Sequence, residues 1–220
     1  MISPAECFKE IFRTQINRTG ANKLLEWMES KDFFTAPASR KYNGAYEGGL
    51  VEHSYISFIA FSVFRRLHFQ LGTICHQLIS FSYQTMIQLV PIFSCSSLDT
   101  YHELSNGPLA WRYSAERRAI TGILHDVCKA NFYKKTETGW AVNDRLPMGH
   151  GEKSVYLIMK HMELTDDEAL AIRWHMGAYD DAFRGGSKAF NIAMDRCPLI
   201  FALHQADTIA TMREKSESWQ

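Results

Sequence analysis

Residues 120–129 read Ile-Thr-Gly-Ile-Leu-His-Asp-Val-Cys-Lys, and the rest of the chain is read outward from them. Ile120, Ile123, Leu124 and Val127 recur at the i, i+3, i+4, i+7 spacing of a helix with one buried face. His125 and Asp126 stand at the end of that apolar stripe. Neighbours on a helix diverge by about 100°, so an imidazole and a carboxylate on adjacent residues meet one ligand only at a helix terminus or where other elements close over them. A charged Asp in an apolar setting is costly unless compensated, and a metal ion would compensate it. The dipeptide alone is common, and it gains meaning only from further ligands elsewhere in the chain.

The chain has 220 residues, a length at which one domain buries a substantial core. Apolar residues make up 46% and charged residues 22%, ordinary values for a globular protein. Lys plus Arg and Asp plus Glu balance at 24 each, so no global field draws the chain to nucleic acid or anionic lipid. The five cysteines, Cys7, Cys75, Cys95, Cys128 and Cys197, are odd in number and lack CxxC spacing. Scattered, unpaired thiols fit a cytoplasmic setting. The start, Met-Ile-Ser-Pro-Ala-Glu, has no basic region followed by an apolar one and does not read as a secretory signal. Residues 69–93 are apolar and about as long as a membrane span. Gln70, His76, Gln77, Gln84 and Gln88 interrupt them, so a buried or interface helix is expected instead.

In chain order, residues 1–32 read as an N-terminal helical extension packed on the core, with Phe8, Ile11, Phe12, Leu24, Leu25 and Met28 at amphipathic spacing. Residues 33–46 contain Pro37 and Gly44 and read as an ordered loop. Residues 49–67 form a nearly continuous apolar run, predicted as a buried helix with His53 one turn inside its start. A helix over 71–89, stopped by Pro91, is followed by a polar loop. The central helix is predicted over 113–129. Around Thr138-Gly139 a short β-hairpin is expected. Helical pattern returns over 152–162 behind His150, and Thr165-Asp-Asp-Glu168 is a capping box opening a helix that runs to His175 and stops at Gly177. Gly185-Gly186 marks a loop, and Pro198 opens a last helix with Leu199, Leu203, Ala206 and Ala210 inward and Asp207 upon it. Residues 214–220 are expected to form a frayed tail. The fold class is therefore an all-α helical bundle with one small β-hairpin.

His53, His125, Asp126, His150, His175 and Asp207 all lie in or beside apolar helices, and together they supply imidazole and carboxylate ligands for borderline or hard divalent ions. They would suit one octahedral ion with open water positions, or two ions bridged by a carboxylate. Here the chain resembles the HD superfamily of metal-dependent phosphohydrolases, whose pattern is His … His-Asp … Asp. The resemblance rests on Gly49-Leu-Val-Glu-His53, Gly122-Ile-Leu-His-Asp-Val-Cys-Lys129 and His204-Gln-Ala-Asp207. Gly149-His150-Gly151 and Trp174-His175-Met-Gly177 look like the two further histidines of the HD branches that hold a second metal. The similarity spans residues 33–213 as an HD domain, with 67–111 as an atypical insertion or lengthened helix pair.

The resemblance implies that His53, His125, Asp126 and Asp207 hold a first divalent ion. It implies that Asp126 bridges to a second held by His150 and His175, with the metal, whether Mn, Fe, Mg, Ni, Co or Zn, left open. It also implies hydrolysis of a phosphoester of a nucleotide or similar small molecule by metal-activated water. Lys129, one turn beyond His125, is placed either to contact a substrate phosphate or to stand as a solvated helix-end lysine. Asp126 and Lys129 are thus the candidate catalytic pair. His204 lies at i,i+3 from Asp207 and is expected to orient that carboxylate. Arg112, Arg117 and Arg118 read as a solvated helix face, Glu52 and Glu152 as surface carboxylates or a proton shuttle, and Trp174 and Tyr179 as core or base-stacking aromatics. Two alternatives remain: a dinuclear-iron oxygenase of the HD type, and a nucleotide-sensing module without turnover. A small phosphorylated partner is expected, with no membrane and no nucleic acid, and a homo-oligomer is allowed.

Overall fold

A computed structural model describes residues 2–71 and 113–217, with side chains described to residue 62 and over 113–213. The chain starts with α1 (Pro4–Gln15), where Ser3 and Glu6 form a capping box and Pro4 takes the first helical position. It continues through α2 (Ala21–Ser30) and a loop into α3 (Gly49–Leu71). Beyond the undescribed stretch come α4 (Ala115–Leu124) and a tight 3₁₀ turn (Val127–Lys129). The hairpin β1 (Tyr133–Thr136) and β2 (Gly139–Val142) follows, paired antiparallel with Thr136 opposite Gly139. The rest is α5 (His150–Met159), α6 (Asp166–Trp174), α7 (Asp181–Arg184), α8 (Ala189–Arg196) and α9 (Leu199–Glu217). This is a mostly helical fold with one small hairpin.

The apolar stripes explain the packing. Helix α3 is the shared element of two cores. Phe58 and Leu50 meet Phe8, Leu24, Ile120 and Ile123 on one side, while Ile56 and Phe61 meet Leu199, Leu203 and Ala206 of α9 on the other. Helices α1 and α2 therefore share one core with α4. Gly122 makes the α3–α4 contact possible, since a Cβ there would stand 3.0 Å from the Phe58 Cα.

Three local expectations change. The helix predicted over 113–129 ends at Leu124, with His125 still in helical conformation and Asp126 outside it at φ −104°, ψ 16°. The apolar spacing persists through Val127, but the chain turns so that His125 and Asp126 can face one point. Helices α7 and α8, on either side of the loop expected at Gly185-Gly186, were not anticipated. Helix α7 is one turn, nucleated by the Asp180 carboxylate accepting from the Ala182 and Phe183 amides, and α8 is held by Ala193 against the α9 core. Cys7 is disulfide-bonded, so the thiols are not all unpaired; Cys128 and Cys197 are free. The predicted helix over 71–89 and its following loop lie outside the described residues. Among the described residues no helix is long and apolar enough to cross a membrane.

Candidate metal centre

Four structural pieces deliver six side chains to one place. His53 projects from the second turn of α3 and Asp207 from α9, and their Nε2 and Oδ1 atoms lie 3.0 Å apart. His125 and Asp126 come from the end of α4, His150 from the first residue of α5 and His175 from the residue that closes α6. His53, His125, Asp126 and His175 are buried, and His150 and Asp207 partly so. The structure brings all six sequence-selected residues together; His53, Asp126, His150 and Asp207 line a cavity of about 140 Å³ with Lys129, while His125 and His175 stand behind it against Asp126. Ser39, Asn43, Met176 and Thr211 line the same cavity.

Asp126 sits at the centre with its two oxygens facing different groups. Oδ2 looks towards His53 Nε2 at 3.6 Å, His125 Nε2 at 3.7 Å and Lys129 Nζ at 2.6 Å. Oδ1 looks towards His150 Nε2 at 2.7 Å and His175 Nε2 at 3.7 Å. Burial opposes ionisation of Asp126, but Lys129, His125 and His150 outweigh it and hold its carboxyl well below the ordinary range. Asp207 is likewise held low, because the bond and charge of His53 overcome its burial. Burial pushes His125 down, and it pushes His175 down to about 3 with His125 and His150 adding to the effect. His150 moves the other way: burial would lower it, yet Cys128 and Asp126 raise it to about 10.

The neutral pair, His125 and His175, share one local device. His125 Nδ1 is 2.9 Å from the Gly122 carbonyl, and His175 Nδ1 is 2.6 Å from the Ile172 carbonyl, both three residues back. The last carbonyls of a helix have no intrahelical partner, so a histidine at the closing position can donate to one of them. Donation from Nδ1 leaves Nε2 as a bare lone pair. Both Nε2 atoms are fully buried, have no hydrogen-bond partner and face Asp126. Buried nitrogen left this way is costly. A divalent cation answers both orphans, in the arrangement in which metal-bound imidazoles fix their far N–H on a carbonyl. Three overlapping groups can hold a metal ion: His53, His125 and Asp207; His125, Asp126 and His175; and Asp126, Cys128 and His150.

The other sequence assignments divide. Lys129 reaches the cavity and is paired with Asp126, which raises its pKa above the ordinary value despite burial. His204 lies with Nδ1 2.6 Å from the His175 carbonyl, so it braces the turn carrying His175 instead of orienting Asp207. That turn passes over the His204 ring at Gly177, where φ is +56° and a Cβ would stand 2.9 Å from the imidazole. Arg117 is half-exposed and pairs with Asp167, whereas Arg118 is buried with its guanidinium on the Tyr113 carbonyl and does not belong to a solvated helix face. Glu52 accepts from the Tyr46 hydroxyl at 2.8 Å, and Glu152 pairs with Arg173. Trp174 is buried beneath the Arg173 guanidinium, whereas Tyr179 is exposed; Arg112 lies outside the described residues. Cys128 was missed. Its only signal was its place in the central motif, two residues past Asp126, where no cysteine spacing pointed to it.

No family model, no curated protein and no solved structure matches the chain, so the residues and their geometry carry the functional reading alone.

Proposed function

We propose that the protein is a metal-dependent phosphohydrolase that cleaves a phosphoester of a nucleotide or a similar small molecule. The observation that carries this reading is the pair of buried, unpartnered Nε2 atoms of His125 and His175 facing one carboxylate. The His … His-Asp … Asp order, similar to that of HD-superfamily phosphohydrolases, supports the same reading from the sequence side. His53, His125, Asp126 and Asp207 would hold one divalent ion. Asp126 would offer its other oxygen to a second, held by His150 and His175.

When bound, such ions polarise a phosphoryl oxygen and bring the pKa of water towards neutrality. The chain's own groups do the rest. Asp126 and Asp207 offset the cation charge, and the Nδ1 bonds of His125 and His175 fix their rings. Lys129 places a point charge at the cavity wall, suited to a phosphate oxygen. Ser39 and Asn43 add hydrogen-bonding groups beside it. A cavity of about 140 Å³ suits the reacting end of a small ester.

The test is metal content and phosphate release over a panel of nucleotides, with His125→Ala alongside. Bound divalent ion and release that His125→Ala abolishes are the expected results. Absence of any bindable ion, or iron-dependent consumption of oxygen without phosphate release, would overturn the proposal.

A further inference from the structure

We propose that Arg173 is a positioning residue that holds His150 and His175 in register on the same oxygen of Asp126. The proposal rests on the reading of the site as a centre for two ions and concerns the half of it built by α5 and α6.

The two halves are held differently. His53 and Asp207 stand on α3 and α9, which share a core of Ile56, Phe61, Leu199, Leu203 and Ala206. His150 opens α5 and His175 closes α6, with ring centroids 5.1 Å apart and both Nε2 atoms towards Asp126 Oδ1. The buried residues of α5 closest to His150 in the chain are Gly151, Lys153 and Ser154, none of them a hydrophobic side chain. The fully buried apolar residue of α5, Ile158, enters the core two turns further on. At the histidine end, polar contacts set the register of the two helices.

Arg173 supplies those contacts. Its guanidinium pairs with Glu152, two residues past His150, and donates to Asp180 Oδ2 at 2.7 Å, beyond His175. It lies 3.8 Å over the Trp174 ring, which restrains its plane. Asp180 is itself anchored, its Oδ1 accepting from the Ala182 amide at 2.9 Å. One cation thus joins the start of α5 to the segment that follows His175.

The backbone makes a second contact at the same joint. A Cβ at Gly151 would stand 2.0 Å from the Arg173 carbonyl oxygen. A Cβ at Gly149 would stand 2.0 Å from Oε2 of Glu152, the carboxylate that Arg173 takes. The glycines on both sides of His150 are therefore required by one joint, where chain and side chain approach too closely for any other residue. Each histidine is two residues from a member of the Glu152–Arg173 pair, so breaking that pair moves one imidazole relative to the other.

The test titrates metal-free full-length protein with Co²⁺ and counts the ions bound, with His53→Ala and His150→Ala marking the binding that depends on each half. Arg173→Ala and Glu152→Ala are each expected to weaken the His150-dependent binding by about 10–100-fold, the usual cost of losing a group that orients a ligand. The His53-dependent binding is expected to stay at the wild-type level in both. The double variant is expected to lose no more than the larger single loss, because both residues act through one contact. Gly151→Ala leaves every charge in place and is expected to show the same selective loss. Unchanged His150-dependent binding in these variants, equal weakening of both bindings, or losses that add in the double variant overturns the positioning role. Wild-type protein that binds one Co²⁺, weakened alike by His53→Ala and His150→Ala, removes the two-ion reading. Protein that takes up none removes the metal centre, and either result takes this inference with it.

Discussion

Two charged clusters in this molecule, one built on Arg18 and Glu168 and one on Asp126, differ in how completely they are satisfied. In the first, Glu168 accepts from both arms of Arg18 at 2.6 and 3.1 Å, and from the Thr165 amide at 2.8 Å. Arg18 reaches on to Glu116 at 3.3 Å and to the Glu163 carbonyl at 3.0 Å. One carboxylate there completes the capping box of α6 and ties the α1–α2 connection to it. In the second cluster, four imidazoles and Asp207 gather around Asp126 beside a cavity, and two imidazole nitrogens are left bare. A closed network holds elements together, while an open one is arranged for something it must bind. The difference separates structural charge from functional charge without reference to any relative.

The largest expected effect lies in the closed cluster. Glu168 is buried while Arg18 is half-buried and keeps Glu116 and the Glu163 carbonyl, so Glu168→Ala is expected to cost about 1.5–3 kcal/mol of folding stability, the range for a hydrogen bond to a charged group, measured by denaturant unfolding. Its metal uptake at low denaturant should stay at the wild-type level. A variant that unfolds normally but fails to load metal would break the distinction between the clusters.

His125→Ala should do the reverse. It removes an orphaned nitrogen from the metal-free protein, so the metal-free fold should survive it. Affinity for a divalent ion should fall by more than the ~10–100-fold associated with losing a residue that merely orients a ligand. Isothermal titration paired with thermal unfolding of the metal-free form reads both quantities. Metal binding itself should stabilise the wild type by about 2.7 kcal/mol when free ion reaches a hundred times the dissociation constant. The same excess should leave His125→Ala much less stabilised.

A smaller effect is expected from His204→Ala. The imidazole braces the His175 carbonyl, so its loss should loosen the turn and weaken metal affinity towards the lower end of that ~10–100-fold range. The smallest concerns pH. The Arg18 bond and the Thr165 amide outweigh burial and hold the Glu168 carboxyl below its ordinary value of 4.5. A depressed native pKa means its contribution is fully present above the unfolded value and fades as pH falls through the native one. Acid unfolding of the wild type should include that limb, and Glu168→Gln should show a flatter stability profile below pH ~4.5. Equal slopes for the two proteins would show that Glu168 does not titrate with folding.

Much of this was legible before any coordinates. The helical stripes, the hairpin at Thr138-Gly139, the Thr165 capping box and the inward face of Leu199, Leu203, Ala206 and Ala210 are all local patterns, and each recurs in the fold. The end of α4 at Leu124 was not legible, because the apolar spacing runs on through Val127 while the turn is imposed by what His125 and Asp126 must face. Helix α8 escaped because its only residue in the buried core is Ala193, too little to make a periodic pattern. Arg118 reads as a surface charge in sequence, yet it is buried, with its guanidinium donating to the Tyr113 carbonyl five residues back.

The sequence by itself determined which residue types could bind a cation, because ligand chemistry resides in the side chain and a helix-period pattern states which segments carry it. Only the tertiary structure decided that His53, Asp126 and Asp207 meet across α3, α4 and α9, that His204 braces His175, and that Cys128 stands against His150. Those facts depend on distances between segments remote in the chain and on which helix end a histidine occupies, since only the C-terminal end exposes the carbonyls that leave an imidazole nitrogen free.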